Sequence, residues 1–245
     1  DARDHRDHRD HLDPLTHQPV PDPDHRAPEE IRQAEARARA GRAIRDIGHA
    51  LVGRDAPVEL VERVATGLAD LVAELEQHDP RSRASAPFDR SRWEAPPATD
   101  GEPMTSYDER PVSGRSSPWG LDLEIHRDGS EAVARLELRA AHEGAPGRSH
   151  GGIVAALFDD VYGFVLDLEQ QAGFTGELGI RYRAGTPIGV PLECRVRLDE
   201  RAGRKLFMSG DLIDTTTGQV VVTSTATFIA IDPAVFAAAA AAPAR

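Results

Sequence analysis

Hydrophobic and polar positions along the chain follow two different periods. Between residues 29 and 78, apolar side chains recur at steps of three and four residues, which is the spacing of one face of an α-helix. Gly53 interrupts this pattern and Pro57 follows, so we predict two amphipathic helices. We expect their apolar stripes to pack against each other or against the rest of the protein, although binding of a partner is an alternative.

From Trp119 onward the period changes to two, which is typical of β-strands. The segments LDLEI and EAVARLELRA alternate on either side of the turn sequence RDGS. Four further alternating segments follow later: ELGIRYRA, PLECRVRLD, KLFMSGDLI and QVVVTSTATFIAI. Between the two groups lies a long run, beginning near His150, that is apolar on most of a helix circumference. Such a helix must be covered by the sheet, so we predict a sheet protein with one central helix.

The remaining segments contain few apolar residues. Residues 1–28 are a polar repeat followed by prolines, and we predict a disordered tail because almost nothing there offsets the entropy of ordering. The histidines of this tail recur every three residues, but an unstructured tail holds no ligand geometry, so we predict no metal site. Residues 79–106 read as a linker, and residues 233–245 as an alanine-rich tail.

Composition restricts the classes of partner. The 245 residues carry a formal net charge of −12, which argues against a nucleic-acid surface, although a local basic cluster could still bind a phosphate. No segment approaches the roughly 20 apolar residues needed to span a membrane, and the N-terminus is polar rather than signal-like. The single cysteine, Cys194, excludes an internal disulfide. We therefore expect a soluble, cytoplasmic protein that binds neither membrane nor nucleic acid.

The candidate chemistry begins in the sequence GRSHGGIVAALFDD, residues 147–160. A helix that starts near His150 leaves its first backbone N–H groups without intrahelical acceptors, and its dipole adds positive charge there. Gly151 and Gly152 would let a substrate carbonyl come close to these groups, which predicts an oxyanion hole. Paired glycines also mark ordinary turns before helices, so the glycines alone leave both interpretations open.

Two carboxylates, Asp159 and Asp160, interrupt the apolar helix. Because the helix has little room for a solvated face, we expect at least one of them to be buried or to line a cleft. Asp159 lies on a stripe of small residues that runs from Gly152 to Gly163 and leaves space for a ligand. Asp160 lies nearer the bulky stripe, where it would support its neighbours or form a salt bridge on the helix surface.

The order of the elements resembles the hotdog fold, and EGAPGRSHGGIVAALFDDVYG is similar to the HGG signature of the PaaI-type acyl-coenzyme A thioesterases. The run TGELGIRYRAGTPIG resembles that family's strand after the helix, and ERAGRKLFMSG resembles its glycine-arginine-lysine hairpin. The resemblance covers roughly residues 107–232. It implies an α+β hotdog domain, with an antiparallel sheet wrapped around the central helix, preceded by a helical extension at residues 29–78.

The resemblance also implies roles for particular residues. The family's catalytic acid corresponds to Asp159, on the helix that begins with His150, Gly151 and Gly152, and Thr175 corresponds to a hydroxyl that orients the water or the acid. The acid either activates water or attacks the thioester itself, and general base catalysis is the simpler route. Because the family builds this site between two protomers, we expect a homodimer or homotetramer.

The implied ligand is an acyl-coenzyme A. Its phosphates would meet a basic island formed by four residues: Arg181, Arg183, Arg204 and Lys205. Ordinary exposed charge is the alternative explanation of these residues.

We therefore predict hydrolysis of an acyl- or aroyl-CoA thioester without a metal or redox cofactor. The competing hypothesis is a non-catalytic hotdog module that binds acyl-CoA, or a protein partner through its helices. No GxSxG elbow and no Cys–His constellation supplies a rival nucleophile, since Cys194 alternates with core residues.

Overall fold

The alternating segments form one antiparallel sheet, and two short strands pair separately beside it. The strands, in chain order, are β1 (Glu124–Asp128), β2 (Glu131–Glu137), β3 (Glu143–Ala145), β4 (Arg148–Ser149), β5 (Gly173–Tyr182), β6 (Pro191–Ala202), β7 (Lys205–Asp214) and β8 (Gln219–Ala230). The six-stranded sheet has the order β1-β2-β6-β7-β8-β5, so β1 and β5 are its edges, whereas β3 pairs with β4. The RDGS turn joins β1 to β2, with Gly129 at a φ of 60° that favours glycine.

The long apolar run forms the central helix, here labelled α3 (Gly151–Leu168) when helices are numbered in chain order. Its bulky residues, among them Leu157 and Phe158, are fully buried against the inward-facing side chains of the sheet. Helix and sheet approach closely at Gly210, where a Cβ atom would lie 2.6 Å from a Val196 methyl and 3.1 Å from the Phe158 ring. The predicted α+β hotdog arrangement is therefore confirmed.

The single cysteine belongs to this core. Cys194 is fully buried on the helix-facing side of β6, and burial raises the pKa of its thiol. A thiol that is both enclosed and hard to ionise is a poor nucleophile. The prediction that Cys194 packs rather than reacts is confirmed.

The computed structural model describes residues 27–81 and 96–232. The predicted tails therefore lie outside the described residues, apart from Ala27 and Pro28, and so does half of the predicted linker, residues 82–95. The chain divides into two compact units, Asp1–Ala36 and Arg37–Arg245. Of the first unit, the described part is the beginning of one helix.

The last residues of the predicted linker belong to the folded domain. The backbone N–H of Met104 donates to the carbonyl of Ile125 at 2.8 Å, and that of Arg127 donates to the carbonyl of Glu102 at 3.1 Å. These bonds cover part of the β1 edge, and the Met104 side chain reaches the core. A domain boundary at residue 107 is thus too late, because two isolated apolar anchors, Ala98 and Met104, leave no periodic signal in the sequence.

The helical extension is present, as predicted, and consists of α1 (Pro28–Gly53) and α2 (Val58–Leu75). Its packing differs from the prediction. None of the described residues of α2 is buried. Leu71 and Leu75, for example, are 56% and 71% exposed. None of the helices in the described ranges is long and apolar enough to cross a membrane.

The buried face of α1 is polar rather than apolar, which explains why the packing prediction failed. Its buried residues are Gly41, Arg45 and His49, so the apolar Ile44 and Leu51 face away from the domain. We call these three buried residues the docking stripe. Arg45, only 7% exposed, donates to the carbonyl of Ser117 and forms a 2.5 Å ion pair with Asp122.

A pair of buried imidazoles lies where the C-terminal part of α1 meets the domain, and it predicts sensitivity to acid. The rings of His49 and His142 are edge to face, with centroids 4.6 Å apart. Burial, helped by His49 and Arg139, lowers the pKa of His142 to about 4; burial and Arg139 lower that of His49. The facing carboxylates, Asp46 and Asp122, only partly oppose these shifts.

We expect the free energy of unfolding to fall as the pH drops from about 6.5 towards 4. Both histidines have lower pKa values when folded than when unfolded, so the unfolded state binds more protons across this range. Their contribution is complete above about pH 6.5 and declines by at most ~1.4 kcal/mol per pH unit for each histidine. Urea unfolding at pH 7.5, 6 and 5 measures the slope. A double variant, His49→Asn with His142→Asn, should show a shallower slope, and an equal slope would contradict the assignment.

Candidate functional site

The turn before α3 is organised by His150, which caps the helix. Its imidazole Nδ1 accepts the backbone N–H of Gly152 at 3.0 Å. Because Nδ1 is engaged with this N–H, Nε2 is the ring nitrogen left to donate to a ligand, and the ring is exposed. Because Gly152 gives its N–H to His150, it does not supply the free oxyanion donor that the sequence predicted.

Gly151 is fixed from the opposite side by Tyr182, at the end of the edge strand β5. The Tyr182 hydroxyl donates to the carbonyl oxygen of Gly151 at 2.7 Å. A Cβ atom on Gly151 would lie only 2.8 Å from that hydroxyl, so a larger residue here would displace the end of the Tyr182 side chain. As the first helical residue, Gly151 has an N–H group without an intrahelical acceptor. One of the two predicted backbone donors is therefore left to meet a developing negative charge.

The predicted acid and hydroxyl lie together. The Thr175 hydroxyl donates to the Asp159 carboxylate at 2.7 Å, although the two residues belong to α3 and β5. A bulge follows, since the β5–β8 register shifts between Thr175 and Glu177. Bulges re-aim side chains, and this one interrupts the regular pairing just after Thr175, before it resumes at Glu177. Asp159 is exposed in the single chain, so its carboxylate is open to solvent rather than buried.

Asp160 has a different environment from its neighbour. It is 8% exposed, and its carboxylate receives the Arg110 guanidinium at 2.7 Å. The same guanidinium lies 4.7 Å from the centre of the Phe164 ring and packs against the Cα of Gly163. Of the two roles left open for Asp160, the structure shows a salt bridge, but a buried one, because the loop that carries Arg110 covers this side of α3. Gly163 likewise makes room for Arg110 rather than for a ligand.

The site residues form two groups at opposite ends of β5. One group contains Gly151 and Tyr182, and the other contains Asp159 and Thr175. Gly151 and Asp159 are about 12 Å apart along the axis of α3, at 1.5 Å per residue. A carbonyl oxygen bound at Gly151 is therefore out of reach of a water held by Asp159 of the same chain.

The four predicted phosphate-binding residues do not form one island within a chain. Arg181 lies opposite Thr223 on β8, whereas Lys205 lies opposite Ile229 on the same strand. At 3.3 Å per residue, these two positions are about 20 Å apart along β8. Arg183 accompanies the first and Arg204 the second, so each basic pair lies beside one of the two groups of site residues.

The Arg181 end also contains a shallow cavity of about 450 Å³ on the sheet. Arg181, Arg183 and Arg197 line it together with the hydroxyls of Ser209 and Thr223. Arg197 is already paired with Glu131 and Asp199 in exposed or half-exposed contacts. Arg181 and Arg183 are exposed, so they are the better candidates for an anionic ligand.

Sequence reasoning missed Tyr182 and Arg110 as parts of this region. The alternation of β5 correctly turns Tyr182 towards α3, but nothing local indicates that its hydroxyl meets Gly151. Arg110 lies in a loop without periodicity, and only the buried position of Asp160 indicates that a cation must lie opposite. A carboxylate flanked by bulky apolar residues is the signal that could have prompted a search for this partner.

Comparison with known proteins finds thioesterases among both the similar sequences and the similar structures. No family model matches the chain. The chain is 36% identical over 85 residues to the acyl-coenzyme A thioesterase THEM5 of Mus musculus, covering 35% of this chain and 34% of that protein. The human THEM5 is 36% identical over 67 residues, which is 27% of each protein. The chain thus matches about a third or less of the length of these curated relatives.

A solved structure matches far more of the chain. The crystal structure of RHA08564, a thioesterase superfamily protein, has a TM-score of 0.66 and 29% sequence identity. The likeness covers 79% of this chain and 94% of the other. This is more than residues 107–232 can account for, so the shared structure includes residues that precede the predicted hotdog domain.

Proposed function

We propose that this chain, which is similar to thioesterases in fold and in part of its sequence, hydrolyses an acyl- or aroyl-coenzyme A thioester to the free acid and CoA. The observation that carries this proposal is the contact between Thr175 and the solvent-open carboxylate of Asp159. A carboxylate that is oriented by a hydroxyl and open to solvent can hold an attacking water. Similarity to the THEM5 thioesterases and to RHA08564 supports the reaction class.

The residues divide the chemistry between them. The Gly151 N–H and the positive end of α3 stabilise the carbonyl oxygen as it becomes negative, and the Nε2–H of His150 offers a second donor nearby. Asp159 accepts a proton from water as the water oxygen bonds to the carbonyl carbon. Collapse of the tetrahedral intermediate breaks the carbon–sulfur bond, and the CoA thiolate takes the proton that Asp159 had accepted from water. Direct attack by Asp159 on the carbonyl is the alternative route, with hydrolysis of an acyl-aspartate as its second step.

We propose that two chains complete each site. Gly151 and Asp159 of one chain are too far apart to act on one carbonyl, so an Asp159 from a second copy must face Gly151 of the first. The outer edge of β5, which pairs with no further strand among the described residues, is where such a copy would bind, because Phe174 and Tyr182 are 56% and 50% exposed there. A two-fold dimer would create two such sites, and a tetramer would contain two dimers.

The basic pairs then acquire separate roles. We expect the alanine double variants Arg181→Ala with Arg183→Ala, and Arg204→Ala with Lys205→Ala, to identify which pair binds the CoA phosphates. The variant that lacks the phosphate-binding pair should raise KM by a much larger factor than it lowers kcat. The reason is that a phosphate contact remote from the thioester stabilises the ground state and the transition state alike. The other variant serves as its matched control. An N-acetylcysteamine thioester lacks the phosphates, so equal losses on both substrates would contradict a phosphate role.

A thiol-release assay against a panel of acyl- and aroyl-CoA esters tests the function itself. Turnover of at least one ester at a rate that depends on Asp159 supports the proposal. Saturable binding of acyl-CoA without thiol release would instead identify a non-catalytic hotdog module.

A further inference from the structure

We propose that the helical extension is part of the active site's framework, with the docking stripe of α1 positioning the turn that presents His150 and Gly151. This inference rests on the proposed function for its kinetic consequences, and on contacts of the described residues for its geometry. The segment that connects the two, residues 139–150, is called the entry turn below. It contains a short 3₁₀ helix, Ala140–His142, and the strands β3 and β4.

The docking stripe fits the domain by shape as well as by hydrogen bonding. Gly41, Arg45 and His49 are spaced by four residues, so they share one face of α1. A Cβ atom on Gly41 would lie 2.5 Å from the carbonyl oxygen of Ser116, so the helix backbone rests directly on that loop. Gly48 of the same helix has no atom within 4 Å of its Cβ position. The two glycines therefore differ in contact although they share the same helix.

The C-terminal part of α1 contacts the entry turn at three points. His49 Nδ1 accepts the backbone N–H of Ala141 at 3.1 Å. Asp46 receives the Arg139 guanidinium at 2.6 Å. A Cβ atom on Gly53 would lie 2.8 Å from the Ala140 Cβ, so the end of the helix also packs there. Together these contacts fix the 3₁₀ helix relative to α1.

The entry turn in turn contacts the start of α3, so the position of the 3₁₀ helix affects the position of His150. His142 Nδ1 accepts the N–H of Arg139 at 3.0 Å, and its carbonyl oxygen accepts the N–H of His150 at 2.8 Å. Gly144 packs so closely on His150 that a Cβ atom there would lie 2.7 Å from the His150 Cα. Any movement of His142 therefore moves His150, and with it the N–H of Gly151 that follows.

The polar character of the docking stripe indicates positioning rather than simple burial. Apolar contacts are non-directional and tolerate sliding, whereas hydrogen bonds fix both distance and angle. Arg45 and His49 are 7% and 8% exposed, and both are hydrogen-bonded to the domain. The Nε of Arg45 is buried without a hydrogen-bond partner among the described residues, but both terminal nitrogens of its guanidinium and the Nδ1 of His49 are bonded. Any displacement of α1 would break these bonds, so they favour one arrangement.

Paired glycine substitutions test this inference. In the full chain, Gly41→Ala should lower kcat roughly 10- to 100-fold with little change in KM, since a displacement of about 1 Å near the reacting atoms has effects of this size. Gly48→Ala introduces the same methyl group into the same helix without a clash, so it should retain wild-type kcat. Equal kcat values for the two variants would overturn the inference.

Substitutions of His49 provide a test that survives if Gly41→Ala fails to fold. His49→Leu removes the acceptor for Ala141 and should lower kcat in the same way. His49→Asn places a carbonyl oxygen near the position of Nδ1 and should recover most of the activity. Loss of activity in both variants to the same extent would show that bulk rather than the hydrogen bond matters, which contradicts positioning.

Hydrogen exchange separates failure of this inference from failure of the proposed function. Amides of the entry turn should exchange roughly tenfold faster or more in Gly41→Ala than in Gly48→Ala, while β7 amides remain unchanged. If the wild-type protein releases no thiol but the exchange difference appears, the proposed function is wrong and the positioning stands. Unchanged exchange in the entry turn refutes the positioning even if the enzyme is active.

Discussion

Asp159→Asn is expected to lower kcat by roughly 10²- to 10⁴-fold while leaving the melting temperature almost unchanged. The amide can still accept the Thr175 hydroxyl, but it cannot take a proton from water. Stability should persist because Asp159 is exposed, so folding of the single chain does not depend on removing its charge from water. Substrate should still bind, since Gly151 and the basic pairs are untouched. Thiol release and thermal unfolding, measured on the same preparation, check both parts.

Asp160→Asn is the matched control and should give the opposite result. Its carboxylate and the Arg110 side chain are 8% and 12% exposed, so the substitution leaves a buried guanidinium without its counterion. Breaking one partner of a buried pair costs about 3–5 kcal/mol. Turnover per folded molecule should remain close to wild type. Loss of turnover in Asp160→Asn but not in Asp159→Asn would reverse the catalytic assignment.

A heterodimer that combines a Gly151→Ala chain with an Asp159→Asn chain is expected to have about half of wild-type activity, although each variant alone has little. The methyl group added by Gly151→Ala would press against the Tyr182 hydroxyl and disturb the oxyanion donor. If each site takes Gly151 from one chain and Asp159 from the other, one of the two sites in this heterodimer is intact. Two different affinity tags allow the heterodimer to be isolated from co-expressed chains.

The decisive control places both substitutions in one chain and pairs that chain with a wild-type partner. Shared sites would then each contain one defective residue, and almost all activity should be lost. Sites contained within a single chain would give the reverse pattern, with half the activity here and little in the first heterodimer. That reverse pattern would contradict the two-chain site.

The sequence by itself determined the elements that face the core. The change of period from three or four residues to two separates the helical extension from the sheet, because each period records which side chains leave water. The apolar run after His150 required a helix covered by a sheet, and α3 is such a helix. The alternation of apolar and polar residues in β6 also predicted that Cys194 lies in the core, and its burial confirms this prediction. The nearness of Thr175 to Asp159 followed from the family resemblance rather than from periodicity.

The tertiary structure decided which polar groups meet. The docking stripe of α1, the Arg110–Asp160 pair and the contact between Tyr182 and Gly151 join residues from distant parts of the chain. Strand register separated the basic residues into two pairs, although the sequence had suggested that these three arginines and one lysine form one island. Polar partners leave no periodic trace, because a hydrogen bond depends on the position of one donor and one acceptor in space. Only the folded chain brings those two atoms within reach.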